Sequence, residues 1–467
     1  MTRLIKIFCL LLMGSTPFVL LSGVGVMLSA CPGEGGGTGA GGGKDGGGGG
    51  GGTQTDAFNL YDLDLTAKDT LYFAMAIDPG TERVGVAYFT PNGTAMGGDG
   101  GTELNYDLKY VEFSNGAATT PVKLRSVQRM VGLSLAFDPI KHEPVAAFLG
   151  GAPGFIEGQS IYWYQNDAVV MRRSGGVWTE TAIATTSAPP ACSPIDQGFL
   201  QGLWSSIIFD PAGKMYVAFR DGHNGQFPQQ DWAASDVELL EGPNEGSLTR
   251  RCLTGDHKQA YGGRIQLALG PGGKPAVVYD QAFGGADVLG QNVLFQQATD
   301  AGTWTPTVAL LTISNTMSGA TLAYDPTEGY GIGVTDRVTS QLKYIKSTDT
   351  INWTVPDDVF GSGTGGWYPS LAMDPVNHEP AIAFYVCSPR AGISDTGCLQ
   401  SDDDLRVTQR IVNNWRETIV DTNGGWQPKL GFFASGKRVV AYRVPPALDV
   451  GAKVHPNVGA VKLAVEK

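Results

Sequence analysis

The strongest constraint on this chain is a short motif that returns seven times. An apolar run closed by Asp-Pro occurs as Ala76-Ile77-Asp78-Pro79, Leu135-Ala136-Phe137-Asp138-Pro139, Ile207-Ile208-Phe209-Asp210-Pro211, Leu322-Ala323-Tyr324-Asp325-Pro326 and Leu371-Ala372-Met373-Asp374-Pro375. Two variants complete the series: Leu267-Ala268-Leu269-Gly270-Pro271 and the degenerate Leu430-Gly431-Phe432-Phe433. Counted from Asp78, successive copies stand 60, 72, 60, 55, 49 and 59 residues apart. Such a period marks a repeat architecture, in which each unit buries its apolar surface against the next.

A second apolar run follows each motif after a short turn, as in Val145-Ala146-Ala147-Phe148, Tyr216-Val217-Ala218-Phe219, Ala381-Ile382-Ala383-Phe384 and Val439-Val440-Ala441-Tyr442. Proline presets φ in the turn and the aspartate can accept a turn amide, so each repeat opens with a β-hairpin. Alanine alternates with larger residues in these runs, as strands buried on both faces require. The second half of a repeat supplies two more strands, joined by a turn ending in tryptophan (Trp178, Trp304, Trp353, Trp415). Four strands per unit, seven units and no helical periodicity predict an all-β, seven-bladed β-propeller of four-stranded antiparallel blades. An open solenoid would need capping repeats, and none is seen. The last repeat has its hairpin and one further strand, Ala460–Val465. Phe58–Leu65 is expected to supply the missing outer strand, closing the ring and removing an exposed edge.

The tryptophan turns resemble worn Asp-boxes of the sialidase-like propellers, most closely in Ser347-Thr348-Asp349-Thr350-Ile351-Asn352-Trp353 and Asp300-Ala301-Gly302-Thr303-Trp304. In that family the box is a structural turn away from the active face. The resemblance therefore implies fold and says almost nothing of activity. Tyr442-Arg443-Val444-Pro445 looks like the Arg-Ile-Pro motif of sialidases, whose arginine grips a carboxylate. There the motif opens the propeller, whereas here it lies in the last blade. No nucleophile pair or acid–base aspartate can be assigned, so sialidase activity is not expected.

The N-terminus reads as an export signal. Arg3 and Lys6 precede an apolar stretch that ends in Leu28-Ser29-Ala30-Cys31. This resembles the lipobox of bacterial lipoproteins, which implies cleavage after residue 30 and lipid attachment at Cys31. The competing reading is an uncleaved membrane helix over residues 7–30, interrupted by Gly14-Ser15-Thr16-Pro17. Residues 33–52 hold fifteen glycines in twenty positions. Such a segment behaves as a flexible tether with a reach of roughly 25 Å. The expected organisation is a signal peptide (1–30), a lipidated cysteine and tether (31–55), and one propeller (56–467). The expected location is the cell envelope, at the outer membrane or cell surface. Export implies an oxidising compartment, so Cys192, Cys252, Cys387 and Cys398 are expected to pair, with three connectivities open. No C-x-x-C spacing supports zinc.

Charge excludes one class of partner. The net charge is −12, and removing residues 1–30 leaves 31 basic against 45 acidic residues. Phosphate backbones repel such a body, so nucleic acid is not expected. His142 and His378 stand in matching D-P-x-x-H-E-P turns and read as hairpin residues rather than metal ligands. Gly361-Ser362-Gly363-Thr364-Gly365-Gly366 leads into a strand, not the helix a phosphate cradle needs. Asp402-Asp403-Asp404 lacks calcium-loop spacing. No cofactor or metal is expected.

Propellers usually carry function at one mouth of the central channel, on loops entering the innermost strand and leaving the second. Aligned repeats put Trp204, Arg264, Trp367, Tyr368 and Trp426 at or beside the start of the innermost strand. Arg220, Asp280, Asp336 and Arg443 fall at the end of the second strand. Aromatic faces beside charged groups could bind a sugar or peptide, the competing reading being that the tryptophans plug the channel. The longest loops (90–107, 184–203, 221–236 and 387–404) would add to that face. The expectation is a monomeric, non-enzymatic propeller that binds a glycan, a peptide or an envelope protein. The alternatives are a sialidase-like glycan-cleaving enzyme and a scaffold of an envelope assembly.

Overall fold

The structure is a computed structural model. It describes residues 57–467 apart from 69–71, 97–101, 128–129, 151–166, 186–191, 193–199, 223–234, 255–259, 283–289, 301, 313–318, 337–340, 361–364, 388–402, 423 and 445–458. Residues 1–55, including Cys31 and the expected signal peptide and tether, lie outside the described residues, as do Cys398 and the side chain of Cys387.

The described residues form seven blades. Their innermost strands are Phe73–Ile77, Leu133–Asp138, Leu200–Phe209, Ala260–Leu269, Ala320–Asp325, Gly365–Met373 and Trp426–Phe432. Each pairs antiparallel with the strand that follows it in the chain. Each also touches the innermost strand of the next blade, and Trp426–Phe432 returns to Phe73–Ile77. The ring is therefore closed. The third and fourth blades share one parallel bridge, Ser235 to Ala260. In the seventh blade Phe58–Asp64 pairs antiparallel with Val461–Glu466, Phe58 opposite Glu466. Both ends of the propeller thus share one sheet, as the sequence predicts.

The core lies between blades rather than within one. Every residue of the second strands Met215–Gly222 and Gly329–Asp336 is buried. Val145 and Ala147 of the second blade pack on Ile207, Val217 and Phe219 of the third. Alanine and glycine in these strands let sheets approach where two large faces would not fit.

The Asp-Pro turns form as expected and do one thing more. Asp138 Oδ1 accepts the amides of Ile140 and Lys141 at 3.0 and 3.1 Å, and Asp325 Oδ1 accepts those of Thr327 and Glu328 at 2.7 and 3.0 Å. His142 Nδ1 then donates to Asp78 of the preceding blade, and His378 Nδ1 to Asp325 of its preceding blade, each at 2.8 Å. The two histidines are inter-blade latches. The tryptophan turns act likewise on the outer strands. Trp178, Trp353 and Trp415 set their rings edge-on to Tyr110, Phe295 and Tyr344 of the preceding blade, at centroid distances of 4.9, 5.1 and 5.3 Å. Asp349 Oδ1 accepts the amides of Asn352 and Ile351 at 2.7 and 2.9 Å. Those bonds favour the charged carboxylate and hold it well below its usual range.

One expectation is corrected. Residues 90–107 are not a loop for most of their length, because strands Val84–Met96 and Thr102–Ser114 carry the first blade's hairpin outward. Gly93, at φ 69°, absorbs a register shift between Pro91 and Thr94, after which pairing resumes at Thr94 opposite Leu104. The other expected long loops are shortened at their ends by Val177–Ala184, Leu200–Phe209, Met215–Gly222, Ser235–Gly242 and Asp403–Ile411, and the rest of each lies mostly outside the described residues. Cys192 and Cys252 form a disulfide that fastens the chain entering the third blade to that blade's outer strand Thr249–Cys252.

Candidate functional site at the channel mouth

The innermost strands are not regular. Three residues before the first large apolar residue of each motif, six successive blades place a residue in the left-handed region: Gly132, Trp204, Arg264, Gly319, Tyr368 and Gln427, at φ 88°, 54°, 53°, 77°, 53° and 54°. In four of these blades the pairing register slips at the same place. This is a repeated β-bulge, and a bulge re-aims the side chains that follow it. Glycine takes this conformation without strain, but each of the other four residues carries about 1–2 kcal/mol for it.

The bulges ring a cavity of about 460 Å³ on the propeller axis. Tyr72, Trp204, Arg264, Tyr368, Gln427 and Lys429 are among its walls. Trp204 stands between neighbours on both sides. Tyr72 meets its ring edge-on at 5.6 Å, and the Arg264 guanidinium lies 5.7 Å from its centroid. Arg264 Nη1 is 3.9 Å from Asp280 Oδ2. Gly132 has to be glycine: a Cβ there would stand 2.5 Å from the Trp204 Cα, and Trp204 N donates to Val131 O at 2.9 Å.

Deeper in the cavity a row of polar side chains stitches blade to blade. Ser134 Oγ accepts the amide of Ile207, Ser206 Oγ that of Leu267, Gln266 Oε1 that of Leu322, Thr321 Oγ1 that of Leu371 and Ser370 Oγ that of Leu430. These bonds span 2.9–3.2 Å. Lys429 occupies the same place in the seventh blade and has nothing to accept with. Burial pushes its amine below the usual lysine value.

Of the residues nominated from sequence, Trp204, Arg264 and Tyr368 line the cavity. Trp367 and Trp426 do not; they bury with Tyr385 behind Tyr368, whose ring stands perpendicular to that of Trp426 at 5.6 Å. Arg443 is fully buried and donates to the carbonyls of Lys68 and Gly459, clasping the closure of the ring. Arg220 and Asp280 are buried at the ends of second strands, and Asp336 lies 3.5 Å from Lys343. Sequence reasoning missed Tyr72, Gln427, Lys429 and the polar row. The row did leave a signal: Ser134, Ser206, Thr321 and Ser370 each stand immediately before the large apolar residue of their motif.

Fold and site together define a seven-bladed β-propeller with an aromatic and cationic cavity at one end of its axis. No family model matches the sequence, and no curated protein is significantly similar to it. Solved structures of similar fold include the BP39L lectin from Burkholderia pseudomallei, with 12% identity, TM-score 0.49, and coverage of 82% of this chain and 93% of that one. Another is the α-L-arabinofuranosidase Arb93A from Fusarium graminearum, with 11% identity, TM-score 0.46, and coverage of 76% and 98%. A third is the intramolecular trans-sialidase from Ruminococcus gnavus, with 10% identity, TM-score 0.46, and coverage of 88% and 97%. At these values none of the three likenesses bears on function.

Proposed function

We propose that this chain is a lipid-anchored propeller of the bacterial envelope that binds a glycan in the channel-mouth cavity without cleaving it. One observation supports the reading above the rest. Trp204, Arg264, Tyr368 and Gln427 hold positive φ where glycine would be relaxed, and all four face the same cavity. Strain kept in a ring of non-glycine residues points to a use for their side chains. Trp204 and Tyr368 offer aromatic surface for the apolar face of a sugar ring, and Arg264 and Gln427 offer polar groups for its hydroxyls. Leu28-Ser29-Ala30-Cys31 supports the anchor, and the glycine-rich segment after it supports display away from the membrane.

A glycan array probed with the full chain and with a Trp204→Gly, Tyr368→Gly variant tests this. Glycine is relaxed at both positions, so the backbone strain is relieved while the aromatic faces are lost. Binding should fall at least about tenfold, as for loss of buried aromatic anchors elsewhere. The thermal midpoint should stay within a few degrees. A wild-type chain that binds no glycan, or equal binding by both chains, would refute the reading.

A further inference from the structure

The chain carries a net charge of −12, yet the only charged side chains on its axial cavity, among the described residues, are Arg264 and Lys429. No described carboxylate lines it. Asp280 approaches Arg264 from behind, which leaves Lys429 as the cation without a carboxylate on the cavity wall. The polar row around Lys429 adds to this sign. Ser134, Ser206, Thr321 and Ser370 each accept a backbone amide, so each hydroxyl hydrogen is directed away from that bond. All four residues and Lys429 are among the walls of one cavity. Ser370 Oγ lies 2.9 Å from the amide of Leu430, the residue after Lys429, and a cation beside a hydroxyl donor favours a negative partner.

We infer that the axial cavity holds an anion site, in which Lys429 and the hydroxyl of Ser370 on the adjoining innermost strand hold one small monovalent anion. That anion is either a free halide or a carboxylate carried by a ligand, since both present a compact negative charge that accepts several hydrogen bonds. Lys429 interrupts the inter-blade row at its last place, where a serine would have continued it. The position gives up one inter-blade hydrogen bond and gains a charge on the axis. The inference stands whether or not a sugar occupies the mouth.

Chloride-35 line broadening by the full chain in detergent reads the site directly. Wild type should broaden the chloride line, and Lys429→Met should lower the excess broadening at least about fivefold, with Lys429→Arg retaining most of it. Ser370→Ala should lower it in part. Narrowing by added acetate would assign the site to carboxylates as well as halides, and no effect of acetate would restrict it to halides; either result supports the site. Should Lys429→Met lose its cooperative unfolding transition, Lys429→Gln gives the same reading at the same position. No excess broadening in wild type, or equal broadening without the cation, would overturn the inference. Neither result depends on glycan binding.

Discussion

At the residue scale, His378 and Asp325 show how a motif read as a turn also joins blades. The hydrogen bond and charge of Asp325 raise the imidazole of His378 above its ordinary 6.5. Burial alone would push Asp325 up, but the bond from His378 and the amides of Glu328 and Thr327 outweigh it and hold the carboxyl below 3.8. The signs follow from linkage. A raised histidine contributes stability that is complete below pH 6.5 and lost as pH climbs through its folded value. A lowered aspartate contributes stability that is complete above pH 3.8 and lost as pH falls through its folded value. The latch is therefore strongest between the two. The thermal midpoint of His378→Ala should lag wild type most near pH 5.5, and the lag should shrink towards pH 9. A lag that does not change across that range would show that the latch carries no charge-dependent stability. The histidines were legible in sequence as paired turn residues. Their reach to the preceding aspartate was not, because that partner lies 64 residues away for His142 and 53 for His378.

At the scale of the element, the innermost strand has to satisfy its own blade and the next. It is the innermost edge of its blade, so some of its amides point away from its own sheet, and the polar row of the preceding blade supplies their acceptors. Leu267 N, for example, has Ser206 Oγ at 3.0 Å in place of a strand partner. Leu267 is 4% exposed, so Ser206→Ala would leave its amide buried and unpaired. The cost should be about 1–3 kcal/mol in chemical denaturation, with Ser206→Thr recovering most of it. A change below about 0.5 kcal/mol for the alanine variant would mean that water replaces the hydroxyl. The hairpins themselves were legible because apolar runs, proline and aspartate act over a few residues. The bulges were not. Trp204, Arg264, Tyr368 and Gln427 have no shared chemistry that marks positive φ, and the conformation is imposed by the approach of neighbouring blades.

At the scale of the whole molecule, Phe58–Asp64 supplies the seventh blade's fourth, outer strand and ties the two ends of the propeller into one sheet. The anchor expected at Cys31 belongs to the same scale. Wild type should incorporate labelled palmitate and sediment with membranes, and Cys31→Ser should do neither; a labelled or membrane-bound Cys31→Ser protein would dismiss the lipobox reading. The count of blades, the hairpin in each and the strand that closes the ring could all be deduced from residue order, because each follows from local turn chemistry repeated at a fixed period. Which aromatics face the axis could not. An extra residue in a strand exchanges its two faces, so one bulge decides that Tyr368 lines the cavity while the adjacent Trp367 is buried between blades. That parity, and the cationic cavity it frames, exists only once seven sheets press on a common axis.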